Sequence, residues 1–184
     1  VERVLKMVDT VLLLVDAFEG PMPQTKYVLK KSLELGQRPV VVINKIDRKH
    51  ARPYEVLDEV FDLFIDLGAS DEQLDFPVVY SSGLEGFAVH DLDEDPEDLS
   101  PLFETVIEHV DPPSGDPDGD VQMQIATLDR DDYVGRVGIG RVFNGTMRVG
   151  DEVAVSRRDG TLDEMRIQKL YGFRGLERVE REAV

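Results

Sequence analysis

A chain of 184 residues with 41% hydrophobic and 32% charged side chains carries enough apolar material for one or two packed domains. It has no cysteine, which excludes a disulfide framework, a thiolate nucleophile and a cysteine-type zinc site. Its net charge of −17 is unevenly placed: residues 1–119 hold 10 basic and 26 acidic side chains, whereas 120–184 hold 11 and 12. The first part should therefore repel a phosphate backbone, while the second, with Arg136, Arg141, Arg148, Arg157, Arg158, Arg166 and Lys169, presents either a basic face or charges interspersed over a sheet.

The opening "VERVLKMVDT" lacks the layout of a secretory signal and has no initiator methionine, which suggests a processed or excised segment. The longest apolar run is the five-residue "VLLLV" at 11–15, far short of the roughly 20 residues of a membrane span, so the chain reads as soluble and without membrane contact. A cytoplasmic location fits the absence of cysteine. "TVLLLVDA" (10–17), "PVVVIN" (39–44) and "FPVVYSS" (76–82) are short, continuous and rich in β-branched residues, as parallel strands buried on both faces are. Helical segments intervene: 23–35; the stripe Val56, Leu57, Val60, Phe61 and Phe64, stopped at Gly68; and the stripe from Leu102 to Val110, with Ser100 as N-cap and Pro101 in the first turn.

The alternation defines an α/β parallel sheet over residues 1–111. "DPPSGDPDGD" (111–120) admits neither a helix nor a central strand, so 112–119 reads as a linker. From 120 to 184 the period becomes strand-like, and Asn144-Gly145 and Asp159-Gly160 signal hairpins of a small β-barrel or sandwich. Gly135, Gly138 and Gly140 mark bends or bulges, and the closing "LERVEREAV" does not read as a finished strand.

The chemistry concentrates where the second strand breaks into Asn44-Lys45-Ile46-Asp47. In open parallel sheets, ligands bind beyond the carboxyl ends of the strands. A carboxylate at Asp47 can accept from N1–H and N2–H₂ of guanine, a donor pair adenine lacks. Asn44 can bond the acceptor edge of the base and tie neighbouring loops, and the stem of Lys45 can lie over the ring. Ser82-Gly83, ending the third strand, offers a hydroxyl and a backbone N–H to the base O6. The alternative is an ordinary polar turn on a non-catalytic protein-interaction module. His50, His90 and His109 lack ligand spacing, and the irregular acidic run 91–98 reads as a solvated loop, so no metal site is expected.

"NKID" and the later "SSGL" resemble the guanine-reading elements of the P-loop GTPase superfamily. Within it, "VERVLKMVDTVLLLVDAFEGPMPQTKYVLKKSLELGQRPVVVINKIDR", "DEVFDLFIDLGASDEQLDFPVVYSSGLEGFA" and "LDRDDYVGRVGIGRVFNGTMRVGDEVAV" are similar to the TypA/BipA family of translational GTPases. The resemblance implies base contacts from Asn44, Lys45, Asp47, Ser82, Gly83 and Leu84, with Gly83 and Leu84 departing from the superfamily's Ala and Lys. It implies GTP or GDP with Mg²⁺ as cofactors of a longer parent enzyme, and the ribosome, through rRNA and ribosomal proteins, as its partner.

It also implies that Val1 falls just after the phosphate-binding half. The sequence contains no Gly-Lys pair of a G-x-x-x-x-G-K-[ST] loop, and no upstream Asp-x-Pro-Gly. Phosphoryl transfer depends on positioning and neutralising phosphates. No catalytic residue is therefore expected here: the segment alone should not hydrolyse GTP, should bind guanine nucleotides weakly or not at all, and can self-associate through an exposed sheet edge.

Overall fold

Three apolar runs too short for helices become parallel strands, whose last residues are the polar Asp16, Asn44 and Ser82. In the computed structural model, which describes residues 2–157 and 159–184, contacts divide the chain into two units, one ending at Pro113 and one beginning at Ser114.

In the first unit a short helix, α1 (Glu2–Leu5), precedes β1 (Leu12–Asp16), α2 (Pro23–Glu34), β2 (Val40–Asn44), α3 (Pro53–Asp66), α4 (Asp71–Leu74), β3 (Val78–Ser82), β4 (Phe87–Val89) and α5 (Ser100–His109). The sheet order is β1-β2-β3-β4, parallel through β3, with β4 returning antiparallel. Leu13, Val15, Val41, Ile43 and Tyr80 from the sheet pack with Val56, Val60 and Phe64 of α3 in one core.

The expectation of burial on both faces holds for β2, whose four apolar residues are all buried, but not for β1. Strand β1 is the outer strand, and Leu12 and Leu14 are 43% and 57% exposed. Helix α5 begins after Leu99 rather than after Ser100. Ser100 is its first residue, and its N–H donates to Asp98 Oδ1 at 2.7 Å. Strand β4 was not expected; its three residues are too few to show a period.

The second unit contains β5 (Gln122–Asp131), β6 (Gly135–Asn144), β7 (Glu152–Ser156), β8 (Leu162–Arg166), β9 (Leu170–Arg174) and β10 (Glu177–Arg181). They pair as three antiparallel hairpins, a barrel-like set of strands with no helix among the described residues. Asp159-Gly160 turns β7 into β8 as expected. Asn144-Gly145, however, does not close a hairpin.

The β5–β6 turn lies at 132–134, where Asp131 Oδ1 accepts from Tyr133 N at 2.9 Å and Val134 N at 3.1 Å. Asn144 and Gly145 instead grip the expected linker. Asp116 N donates to Asn144 Oδ1 at 3.0 Å, and Gly145 N donates to Asp116 O at 2.8 Å. A Cβ on Gly145 would stand 2.7 Å from Gly119 O and Val121 N, so the close approach itself requires glycine.

Residues 116–119 are thus fastened to the end of β6 rather than hanging free. The segment read as unfinished, "LERVEREAV", supplies β10, because the turn at Gly175 folds it back on β9. A register shift between Ile125 and Thr127, facing Ile139 and Gly140, marks the expected bulge.

Candidate functional site

Strands β1, β2 and β3 end side by side, with Asp16 opposite Asn44 and Asn44 opposite Ser81 in register. The polar residues that terminate three separate runs therefore meet at one edge. Asn44 is the hub. Its Oδ1 accepts from Lys45 N at 2.8 Å, Gly83 N at 3.0 Å and Ser81 Oγ at 3.2 Å, joining the loops after β2 and β3.

Lys45 follows in a left-handed conformation, φ 67°, which turns its side chain back toward β1. Its Nζ donates to Asp16 Oδ2 at 2.8 Å. Arg48 Nη1 reaches the same oxygen at 3.1 Å, and its guanidinium lies 4.9 Å from the centre of the Phe18 ring. Phe18 N at 2.8 Å and Glu19 N at 3.3 Å complete the shell of Asp16 through Oδ1.

Burial pushes the Asp16 carboxyl up, but the hydrogen bonds from Lys45, Phe18 and Glu19 and the Lys45 charge outweigh it and bring it down to about 2. Asp16 is therefore ionised at neutral pH and fixes two cations of the loop that contains Asp47. Sequence reasoning missed this carboxylate, although it ends the first apolar run as Asn44 ends the second. Ser81 was missed as well; only its register with Asn44 reveals it.

Asp47 is exposed, and among the described residues its carboxylate makes no hydrogen bond or ion pair. Leu84, 88% exposed, sits at the tip of the β3–β4 turn, and its N–H is likewise unengaged among the described residues. Ser82 differs from expectation. It is fully buried, its Oγ accepts from Glu85 N at 3.1 Å, and its carbonyl accepts from Gly86 N at 2.8 Å, so it shapes the turn instead of presenting a hydroxyl. The Gly83 N–H is spent on Asn44.

The donor set fits a purine base and not a phosphate chain. Lys45 and Arg48 are committed to Asp16, and no glycine-rich anion cradle lies beside them. Among the described residues no group of three His, Asp or Glu is arranged to hold a metal ion.

The expected basic residues of the second unit are mostly engaged. Arg157 is paired with Asp163. Arg166 Nε donates to Gly150 O at 3.0 Å, Lys169 lies 3.6 Å from Glu180, and Arg141 stacks 5.2 Å from the Phe143 ring. Arg158 lies outside the described residues. Arg136 stands directly opposite Arg130 across β5 and β6, and neither has an ion-pair partner among the described residues.

A parallel sheet whose strand ends carry Asn44, Lys45 and Asp47 defines the class. The chain belongs to the family described as the elongation factor Tu GTP binding domain, which residues 1–112 match; residues 135–184 match elongation factor Tu domain 2. Its curated relatives include the large ribosomal subunit assembly factor BipA of Bacillus subtilis, 56% identical over 99% of this chain, and that of Synechocystis sp., 55% identical over 98%. The Escherichia coli protein of the same name is 51% identical over 98%. The chain spans about 30% of the length of each of these relatives. A bacterial selenocysteine-specific elongation factor structure shares the fold, with a TM-score of 0.67, 19% identity, and coverage of 100% of this chain and 28% of that one.

Proposed function

We propose that residues 1–111 are the base-reading half of a GTP-binding domain, followed by a linker at 112–119 and a β-barrel domain at 120–184. The parent would be a cytoplasmic translational GTPase that acts on the large ribosomal subunit. One observation carries the reading: an exposed carboxylate, Asp47, without a partner among the described residues, beside an asparagine locked by three hydrogen bonds at the end of a buried strand.

In this role Asp47 accepts from N1–H and N2–H₂ of guanine. Asn44 keeps its carbonyl on the two loops and turns its amide N–H₂ toward the acceptor edge of the base. The stem of Lys45, anchored at Asp16, flanks the ring. Gly83 and Ser82 shape the second loop, and the Leu84 N–H is the donor left for O6 while its side chain covers the base.

GTP or GDP would bind with Mg²⁺ in the longer protein, with phosphates and metal held by residues other than these. The chain alone would neither hydrolyse GTP nor hold it tightly. A carboxylate desolvated without its donors disfavours adenine, and this sets the selectivity.

The unneutralised pair Arg130–Arg136 supports a ribosomal partner. Like charges directly across a ladder cost stability, and a phosphate backbone would relieve that cost. The uncovered outer strand β1, with Leu12 and Leu14 exposed, supports self-association of this chain through the sheet edge.

Competition binding tests the reading in a chain extended upstream by the corresponding residues of the Bacillus subtilis relative. GTP should displace a labelled guanine nucleotide about a hundredfold better than ATP. Equal displacement by both would contradict it.

A further inference from the structure

The residue next to Asp47 is built into the strand-end cluster from the far side. Arg48 reaches across to the loop after β1, where its Nη1 lies 3.1 Å from Asp16 Oδ2 and 3.4 Å from Oδ1. Its guanidinium rests 4.9 Å from the centre of the Phe18 ring. An exposed arginine is thus held on two sides, by a carboxylate at its edge and by an aromatic face.

Charge balance does not explain this placement. Lys45 Nζ, 2.8 Å from the same Oδ2, already neutralises Asp16, and a second cation beside it meets repulsion. Ordering a long side chain that is 42% exposed also costs rotamer freedom. What arginine adds is direction, because a planar fork fixed between two groups has one orientation, which a flexible ammonium lacks.

The two anchors are themselves fixed. Phe18 N and Glu19 N close a turn on Asp16 Oδ1, and Gly20 N donates to Asp16 O at 2.9 Å. Arg52 Nε donates to Phe18 O at 3.2 Å, and Arg52 is paired in turn with Glu59 of α3.

The loop after β2 is therefore gripped from both flanks. On the β3 side Asn44 Oδ1 accepts from Lys45 N, and Ile46 N donates to Ser81 O at 3.2 Å. On the β1 side Asp16 and Phe18 hold the side chains of Lys45 and Arg48. Only the Asp47 carboxylate carries no such tie among the described residues. A carboxylate kept free for a ligand must have its backbone set by its neighbours, since two parallel hydrogen bonds to one base edge tolerate little displacement.

We propose, resting on the base-reading role of Asp47, that Arg48 seated between Asp16 and Phe18 is a positioning residue that aims the Asp47 carboxylate and thereby sets selectivity for guanine. Arg48 itself does not touch the base.

Two measurements test this. In the chain as it stands, nitrogen-15 relaxation should give the Asp47 amide an order parameter of about 0.85, falling below about 0.6 in Arg48→Met. In the upstream-extended chain, competition between GTP and ITP, whose base lacks the N2 amino group, reads the aim of the carboxylate. The parent should prefer GTP about tenfold, and Arg48→Met should bring the preference to within about twofold. Arg48→Lys, which keeps the charge and loses the fork, should fall with it. Lys49→Met, an equal charge loss one residue further on, should keep the full preference. In an Asp47→Ala background, Arg48→Met should change GTP affinity by less than about twofold, as expected of a residue that acts through Asp47. Circular dichroism confirms that each variant is folded.

A parent preference retained in Arg48→Met or Arg48→Lys, an Asp47 amide equally ordered without Arg48, equal loss in Lys49→Met, or a further loss in the Asp47→Ala background would overturn the positioning role alone. A parent that does not distinguish GTP from ITP would overturn the base-reading role of Asp47 and the positioning role with it.

Discussion

The two units use their strands differently. In the first, β2 is buried along all four apolar residues and offers polar groups only where it ends, so its chemistry is forced to Asn44 and the loop beyond. In the second, β7 alternates between half-buried and exposed residues, and charges such as Arg130 and Arg136 lie along the strands themselves. A strand covered on both faces concentrates function at its tip, whereas a strand with one wet face spreads it over a surface.

Core truncation should separate the units most strongly. Phe64, fully buried beneath the sheet, should cost about 3–5 kcal/mol as Phe64→Ala, whereas Met147, 8% exposed in the second unit, should cost about 2 kcal/mol as Met147→Ala. Denaturant unfolding followed by amide exchange in each unit measures both, and equal losses would remove the contrast.

Backbone contact governs the second unit more than side-chain burial does. A Cβ on Gly140 would stand 1.9 Å from Gln124 O, so Gly140→Ala should cost about 2–3 kcal/mol and disturb the bulge at Ala126. Retained stability with an unchanged spectrum of β5 would show that the bulge is not enforced by this approach.

Asp16→Asn probes the strand-end cluster through pH. The folded carboxyl lies near 2, below its ordinary value of 3.8, so its stabilisation is complete above about pH 4 and disappears as pH falls through 2. The variant should be about 1–2 kcal/mol less stable at pH 7, and the gap should close toward pH 2. A gap independent of pH would mean that the ionised cluster with Lys45 and Arg48 is not its source.

The smallest effect has the opposite sign. Arg130→Glu replaces a like-charge cross-strand pair with an attractive one and should raise stability by about 0.5 kcal/mol while weakening ribosome association. A loss of stability would contradict the unneutralised pair, and unchanged ribosome association would move that contact elsewhere.

Much of the first unit was legible because apolar runs bounded by polar residues mark parallel strands without reference to partners. Asn44, Lys45 and Asp47 stood out for the same reason. What the chain alone hid depends on register: Asp16 and Ser81 matter because pairing sets them on either side of Asn44, and no spacing in the sequence shows that. Ser82 misled because a serine ending a strand can turn inward to cap its own hairpin, and Asn144-Gly145 misled because the same dipeptide that closes hairpins also receives a neighbouring segment at close range. Strand β10 was obscured by its charges, which an exposed ribbon tolerates.

The comparison of GTP with XTP in the upstream-extended chain and in Asp47→Asn addresses the central claim most directly. The exchange leaves one acceptor oxygen and adds an amide donor, which matches the C2 oxygen of xanthine and not the N2 amino group of guanine. GTP binding should weaken by about 2 kcal/mol or more and the preference should pass to XTP. Unchanged affinity for both nucleotides would mean that Asp47 does not read the base and that "NKID" is only the turn that ends β2.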